Sequence, residues 1–234
     1  MNGWSEHVGR AVRLALDDVD TDQLIPARFM SRPRADGYGD HLLHDLRRNE
    51  AGESDPDFPL ERHPGASVIV AGRSFGSGSS REAAVYALVD AGIRAVVASG
   101  FGDIFAANAV NNGLLPARVD AADLARLHDA LGDDAIEVAV SLERATVSLD
   151  ALAVTFELDD VRRTKLVNGW DDIDLTLAHR ADIARYRARR HRETGWAWPD
   201  AGRVAGKVGA DAERVRTTTG SPPASPAPRE REER

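Results

Sequence analysis

The sequence predicts an α/β fold, in which strands and helices alternate along the chain. Residues 66–71 form a continuous apolar run, the pattern of a strand buried on both faces, and this run enters a glycine-rich turn. A helix is predicted over 81–91, because alanine and leucine recur at helical spacing and Gly92 follows. A second strand over 93–98 and a second helix over 101–112 repeat the arrangement. Two consecutive strand–helix units are typical of an α/β core.

The segment before this core predicts one strand and a long connection. Val12–Leu16 is predicted as a short strand that ends in an acidic turn over 17–22. Residues 31–65 are rich in proline, glycine, arginine and aspartate, which indicates an irregular connection.

The segment after the core predicts a further helix, three strands and a last helix. Asp120 is placed to cap a helix that Gly132 closes. The last helix is expected over 171–191. The three short strands are predicted over 136–140, 146–149 and 152–156. Beyond Pro199 the apolar periodicity is lost, so we predict one domain over 1–199 and a disordered tail over 200–234.

Composition excludes several functions. The formal net charge is −8, so no overall positive field attracts nucleic acid. The chain contains no cysteine, and its seven histidines are not arranged as His-Glu-x-x-His, so we predict no metal site within it. The N-terminus has no basic region followed by an apolar run, and no stretch has the length of a membrane span. A cytoplasmic protein is therefore expected.

The glycine-rich turn over 72–82 has the features of an anion site. It combines three glycines, adjacent hydroxyls at Ser79 and Ser80, and Arg81 where a strand passes into a helix. Free backbone N–H groups at a helix start favour a negative ligand, and glycines let that ligand approach the main chain. Arginine can hold a carboxylate through two hydrogen bonds. The structural alternative is that Ser79 or Ser80 caps the helix and Arg81 pairs with a nearby acid.

Other binding motifs fit this sequence poorly. A phosphate-binding P-loop requires lysine after its second glycine, and a dinucleotide fingerprint requires glycine where Arg81 stands. The acidic turn over 17–22 lacks the glycine and the distal glutamate of a calcium loop.

Several segments together resemble the small subunit of 3-isopropylmalate dehydratase, whose fold is similar to the swivelling domain of aconitase. Their order along the chain matches the family's order. They are Val19-Asp20-Thr21-Asp22-Gln23-Leu24-Ile25-Pro26-Ala27-Arg28-Phe29, the 72–82 turn, Phe101-Gly102-Asp103-Ile104-Phe105, Asn111-Asn112-Gly113-Leu114-Leu115-Pro116, and Asn168-Gly169-Trp170-Asp171-Asp172-Ile173.

The resemblance implies a swivelling β/β/α domain similar to the aconitase C-terminal domain, and a hydro-lyase reaction. That reaction would interconvert 2-isopropylmalate and 3-isopropylmalate through 2-isopropylmaleate in leucine biosynthesis. A partner large subunit would carry the [4Fe–4S] cluster, in a heterodimer or heterotetramer. By similarity Ser79 would be the catalytic base. The substrate-binding residues would be Gly78, Ser80, Arg81, Thr21, Asp22, Gln23 and Arg28.

The chain departs from the family pattern at one position beside the expected site. Family members usually carry histidine after Ser-Ser-Arg-Glu, whereas this chain carries Ala83. Loss of that polar group leaves two alternatives open, a small subunit for a related hydroxy diacid of the homoaconitase type and a non-catalytic diacid-binding paralogue. A nucleotide-binding α/β module is a third alternative, because the glycine-rich turn follows a strand and opens a helix.

Overall fold

The computed structural model describes residues 2–49, 51–79 and 81–198, and the part up to residue 178 forms a mixed β-sheet with surrounding helices. The strands are β1 Glu6–Arg13, β2 Val68–Val70, β3 Ala95–Ala98, β4 Leu115–Arg118, β5 Ile136–Ser141, β6 Thr146–Leu149 and β7 Leu152–Thr155. The helices are α1 Thr21–Leu24, α2 Pro59–Arg62, α3 Glu82–Asp90, α4 Asp103–Asn111, α5 Ala121–Leu131, α6 Asp160–Asn168, α7 Asp172–Ala178 and α8 Arg180–Glu193. No helix in this part of the chain has the length and apolar character needed to cross a membrane.

The strands form one seven-stranded sheet in the order β4-β3-β2-β1-β5-β6-β7. The half formed by β1 to β4 is parallel, and the half formed by β5 to β7 continues antiparallel from β1. Because parallel strands end at the same edge of a sheet, the loops after β1, β2 and β3 emerge together. This edge carries the acidic turn and the glycine-rich turn.

Hydrophobic layers cover both faces of the parallel strands. Alternate residues of β2 enter opposite layers, since Ile69 packs with α3 residues and Val68 and Val70 pack with residues of α5 and β5. The three side chains are at most 1% exposed. A strand buried on both faces must be apolar throughout, which explains the continuous apolar run in the sequence.

The structure confirms most predicted elements and corrects the bounds of the first strand. We predicted Val12–Leu16, but β1 spans Glu6–Arg13, because it pairs antiparallel with β5 from Glu6 to Ala11. That half of the strand is largely exposed and polar, so it carries no apolar run. Asp120 caps α5 as predicted, its carboxylate accepting a hydrogen bond from the Asp123 N–H at 2.7 Å.

The sequence analysis missed strand β4, helix α6 and the two single-turn helices α1 and α2. Strand β4 contains Pro116, which has no N–H for a sheet, but β4 lies at the sheet edge, where proline is tolerated. Helix α6 has a mostly polar sequence, and Asp159 caps it by accepting from the Arg162 N–H at 2.8 Å. The predicted helix over 171–191 is instead α7 and α8.

The long connection is largely irregular, as predicted, but it also contains the helical turn α2, two 3-10 turns and an isolated β-bridge between Arg48 and Ser54. Contacts with α3 hold it in place. Arg34 forms a two-pronged ion pair with Asp90 and lies 4.0 Å above the Tyr86 ring centroid. Gly39 packs against the Asp90 and Ala91 backbone so closely that a Cβ atom there would lie 2.6 Å from it.

The chain divides into two compact units, Met1–Ala178 and His179–Arg234. The first contains the sheet and α1 to α7, and the described part of the second contains α8 and a short 3-10 turn. The predicted tail over 200–234 lies outside the described residues. The division into a domain over 1–199 and a tail stays a prediction.

Candidate functional site

The glycine-rich turn lies between two other loops at the sheet edge. On one side, the Gly76 N–H donates to the Val19 carbonyl at 2.7 Å, and the Thr21 N–H donates to the Ser77 carbonyl at 3.0 Å. On the other side, the Gly102 N–H donates to the Phe75 carbonyl at 3.0 Å. Main-chain bonds therefore join three segments that the family resemblance identified separately.

The base of the turn is an aromatic cluster of Phe75, Phe101 and Phe105. The Phe75 and Phe105 rings meet edge to face at 5.6 Å, a favourable arrangement for aromatic pairs. Gly76 has φ +71°, and a Cβ atom there would lie 2.2 Å from the Phe105 ring. Glycine is required here both for the backbone conformation and for the close approach of the ring.

Helix α1 contains the predicted Thr21, Asp22 and Gln23, and it lies against the turn. Asp20 and Gln23 form a capping box, in which the Gln23 N–H donates to Asp20 Oδ1 at 2.7 Å and the Asp20 N–H donates to Gln23 Oε1 at 2.9 Å. Gln23 therefore uses its amide oxygen to hold α1 together. Its role as a substrate ligand stays a prediction.

Thr21 carries an unused polar atom beside the turn. Its side chain is fully buried, and its hydroxyl oxygen Oγ1 has no hydrogen-bond partner among the described residues. A Cβ atom at Gly78 would lie 3.9 Å from this oxygen, so the hydroxyl lies next to the exposed loop backbone. A buried hydroxyl without a partner is costly, and a ligand oxygen bound over Gly78 could satisfy it.

Arg81 and Asp22 form an ion pair across the site, with Arg81 Nη1 2.5 Å from Asp22 Oδ1. The angles of this contact are not those of a hydrogen bond, and Nη1 is buried. The Arg81 side chain is 28% exposed, so part of the guanidinium remains accessible. Sequence analysis predicted both residues as ligands, and the structure places them against each other.

The hydroxyl residues of the turn are only partly described. Ser79 is exposed, and Gly78 beside it has φ +90°. The expectation that Ser79 or Ser80 caps the helix is wrong for Ser79, because Arg81 is the residue at the cap position of α3, and among the described residues no side chain forms a capping hydrogen bond there. Ser80 lies outside the described residues, so its role stays a prediction.

Arg28 forms an ion pair with Asp45 of the long connection. This hydrogen-bonded pair and His44 lower the pKa of Asp45 to about 2. Arg28 also lies 4.6 Å above the Phe29 ring, and Phe29 stacks on His41 at 4.0 Å. Arg28 was predicted to bind substrate, and here it joins the segment after α1 to the connection.

The Arg28–Asp45 pair gives a testable pH dependence. Because the pKa of Asp45 is lowered on folding, the pair adds stability above about pH 4, and this contribution is lost as the pH falls toward about 2. We expect Asp45→Asn to reduce the free energy of unfolding at pH 6 by less than about 1 kcal/mol, since both side chains are half exposed. Between pH 4 and 2 the variant should lose less stability than the parent. Urea unfolding at each pH measures this, with Asp57→Asn as the control for another exposed pair.

Two family segments, 111–116 and 168–173, form side-chain contacts with α3 and α6. The Asn112 amide donates to Glu82 Oε1 at 3.1 Å, which links the end of α4 to the first residue of α3. Lys165, which is only 8% exposed, donates to Asn111 Oδ1 at 3.0 Å and pairs with Asp172. Sequence analysis quoted the two asparagines and Asp172 in motifs without a role for them, and it missed Lys165. The residues around Lys165 in α6 are mostly polar, so the sequence pattern did not indicate that Lys165 is buried.

The residues of this chain do not fit an iron–sulfur cluster. The sequence contains no cysteine, and the described ranges contain no group of three or more histidine, aspartate or glutamate side chains that could hold a metal ion. A depression of about 680 Å³ lies on the long connection and is lined by residues that include Arg47, Arg48 and His63. None of the predicted site residues lines it.

Comparisons with known proteins agree with the resemblance. The model of the aconitase C-terminal domain matches residues 1–122. The 3-isopropylmalate dehydratase small subunit of Streptomyces coelicolor is 44% identical over 193 residues, which cover 81% of this chain and 95% of that protein. The corresponding protein of Shewanella amazonensis is 43% identical over 195 residues, 81% of this chain and 97% of its own length.

A solved structure shows the same similarity. The crystal structure of 3-isopropylmalate dehydratase from Methanocaldococcus jannaschii is 29% identical to this chain, with a TM-score of 0.57. The match covers 77% of this chain and 99% of that one.

Proposed function

Because the chain belongs to the family of 3-isopropylmalate dehydratase small subunits, which carry the aconitase C-terminal domain, we propose that it is the small subunit of a 3-isopropylmalate dehydratase. With a large subunit it interconverts 2-isopropylmalate and 3-isopropylmalate through 2-isopropylmaleate, in leucine biosynthesis. The observation that carries this proposal is the juxtaposition of the glycine-rich turn and α1, which brings Arg81, Thr21 and Ser79 to one edge of the sheet.

The substrate is a dicarboxylate, and the turn offers groups that match one carboxylate. The accessible part of the Arg81 guanidinium supplies positive charge, and the free N–H groups at the start of α3 supply further donors. The unpartnered Thr21 hydroxyl is the third donor. Gly78, which has no side chain, lets the carboxylate reach the backbone above that hydroxyl.

Ser79 is the proposed base. It removes the proton from the carbon next to the bound carboxylate, hydroxide leaves from the neighbouring carbon, and a carbon–carbon double bond forms between them. A serine hydroxyl is too weak an acid to lose its own proton unaided at neutral pH. The positive end of α3 and the Arg81 charge stabilise its alkoxide form.

The departure of hydroxide needs a Lewis acid, which a [4Fe–4S] cluster supplies in this proposal. Since this chain has no cysteine, we assign the cluster to the large subunit. The exposure of Ser79 and Gly78 supports the same division of labour, because such an active site is shielded from bulk solvent and this chain alone leaves it open.

Asp22 is a positioning residue in this proposal. A carboxylate so close to Arg81 would repel an anionic substrate as a direct ligand, but it fixes the direction of the guanidinium. We expect Asp22→Asn in the assembled enzyme to lower kcat/KM about tenfold, mostly through a higher KM. Asp22→Glu should recover part of the loss.

Steady-state kinetics with both directions of the reaction test the role of Asp22. The matched control is Asp18→Asn, which removes an exposed carboxylate that pairs with Arg73 at 2.9 Å in the same turn. We expect a change of less than about twofold for this control. Equal losses in the two variants would contradict the positioning role.

A non-catalytic diacid-binding paralogue is the second candidate, and Ala83 is the observation that favours it. Ala83 lies in the first turn of α3, is half-buried and packs against the hydrophobic core, at a position where family members usually carry histidine. If the histidine of other family members transfers a proton during the reaction, this chain would still bind the diacid but would no longer convert it.

The deciding experiment is co-expression of this chain with a candidate large subunit, followed by anaerobic reconstitution of the cluster. The absorbance of 2-isopropylmaleate is then followed after addition of 3-isopropylmalate, with each subunit alone and with Ser79→Ala as controls. Absorbance change that requires both chains and falls at least about 100-fold in Ser79→Ala supports the enzyme. A stable, cluster-loaded complex that binds the diacid without turnover selects the paralogue.

A further inference from the structure

Helix α3 starts at the end of the glycine-rich turn, yet among the described residues no side chain forms a capping hydrogen bond there. The first N–H groups of a helix have no partner inside the helix, and helix ends tend to fray. The proposed function needs these N–H groups and the neighbouring Arg81 at fixed positions. Contacts from other elements therefore have to hold the start of α3.

Two side-chain contacts connect the start of α3 to its neighbours. Arg81, at the cap position, pairs with Asp22 of α1. Glu82, the first helical residue, accepts a hydrogen bond at 3.1 Å from the side-chain amide of Asn112, which lies at the end of α4. Consecutive residues at the start of α3 are thus held by two different helices.

Asn112 is itself held in place by several hydrogen bonds. Its side-chain amide also donates to the Asn108 carbonyl at 2.9 Å, so both amide hydrogens have acceptors. Its backbone N–H donates to the carbonyls of Asn108 at 3.1 Å and Ala109 at 3.0 Å. Gly113 follows with φ +78°, and the Trp4 indole N–H donates to the Gly113 carbonyl at 3.1 Å. A side chain held in this way can fix the position of the group that it binds.

The Glu82 carboxylate depends on Asn112 for its connection to α4. The residue is exposed, so packing does not fix its side chain. Tyr86 also lies near the carboxylate, but it belongs to α3 itself. A carboxylate in the first turn interacts favourably with the positive end of the helix. Because the amide of Asn112 is neutral, it holds this carboxylate without adding a positive charge that would compete with Arg81 for an anionic substrate.

We propose that Asn112 is a positioning residue for the dehydratase reaction, and that it acts through Glu82 on the start of α3. This inference rests on the proposed function. If the hydrogen bond is lost, the start of α3 moves, and Arg81 and the free N–H groups move with it. A displacement of about 1 Å in a group that orients substrate can lower the rate about 100-fold.

The test exchanges the donor and the acceptor of this hydrogen bond. Asn112→Asp places a carboxylate of the same shape opposite Glu82, and the two negative charges repel each other. Glu82→Gln alone keeps an oxygen that accepts from Asn112. The double variant Asn112→Asp/Glu82→Gln forms the bond in the reverse direction, from the Gln amide to the Asp carboxylate.

Steady-state kinetics of the reconstituted enzyme compare the three variants with the parent. We expect kcat/KM to fall at least about 20-fold in Asn112→Asp, through both a lower kcat and a higher KM. Glu82→Gln should lose about threefold, because a neutral acceptor forms a weaker hydrogen bond. The double variant should recover to within about fivefold of the parent. Partial unfolding alone would lower the apparent kcat and leave KM unchanged.

Asn111→Ala is the matched control. Asn111 precedes Asn112 on α4, but its side chain bonds to Lys165 of α6 and Asp172 of α7. Urea unfolding places the control and Asn112→Asp on one scale of stability. We expect the control to lose stability, because buried Lys165 loses an acceptor, and to keep kcat/KM within about twofold.

Unchanged kinetics of Asn112→Asp, or a double variant as slow as that variant, would overturn the proposal. Hydrogen exchange of the isolated chain separates this result from a failure of the proposed function. Exchange at the first amides of α3 should be faster in Asn112→Asp than in the parent, with α5 unchanged. A parent complex without turnover, together with this exchange pattern, counts against the proposed function only. Normal turnover by Asn112→Asp, together with unchanged exchange, counts against the positioning role only.

Discussion

Gly76→Ala should destabilise the protein by about 3 kcal/mol. The backbone at Gly76 has φ +71°, which costs an alanine about 1 kcal/mol. The added Cβ would also meet the Phe105 ring at 2.2 Å, and Phe105 is buried at the centre of the aromatic cluster. Overpacking of this kind typically costs about 1–3 kcal/mol.

Urea unfolding of the purified chain measures this loss, with Gly92→Ala as the matched control. Gly92 has φ +88°, but no atom lies within 4 Å of the position that a Cβ atom would take there. The control therefore carries the conformational cost alone, about 1 kcal/mol. If the two variants lost the same stability, the close contact between the turn and Phe105 would not exist as described.

Arg81→Lys should lower kcat/KM of the assembled enzyme about 100-fold, the largest activity loss that we expect from a conservative change in a binding residue. Lysine keeps the charge but loses the planar fork that can hold a carboxylate and remain paired with Asp22. Binding of the diacid should weaken together with turnover.

Isothermal titration with a non-reacting dicarboxylate and steady-state kinetics separate binding from chemistry in this variant. Arg73→Lys is the control, because Arg73 belongs to the same turn but is 65% exposed and pairs with Asp17 and Asp18. We expect the control to retain activity within about twofold. A fully active Arg81→Lys enzyme would remove Arg81 from the binding site.

The structure also explains which residues the sequence could not assign. Gln23 and Asp22 occur in the family segment that was expected to touch substrate. In the structure, Gln23 belongs to the capping box of α1 and Asp22 pairs with Arg81. Both are exposed polar residues in a short helix, and no periodicity distinguishes a ligand from a cap. Lys165 was missed for a related reason, since its burial depends on α4 and α7 packing over it.

The sequence by itself determined the strand–helix core, the position of the glycine-rich turn and the family. Apolar runs, helical spacing and ordered motifs are local properties, so they can be read from neighbouring residues. Only the tertiary structure decided that β1 extends to Glu6 by pairing with β5, that α1 lies against the turn, and that Asp22 pairs with Arg81. These relations join residues tens of positions apart, and only the packing of the sheet brings those residues together.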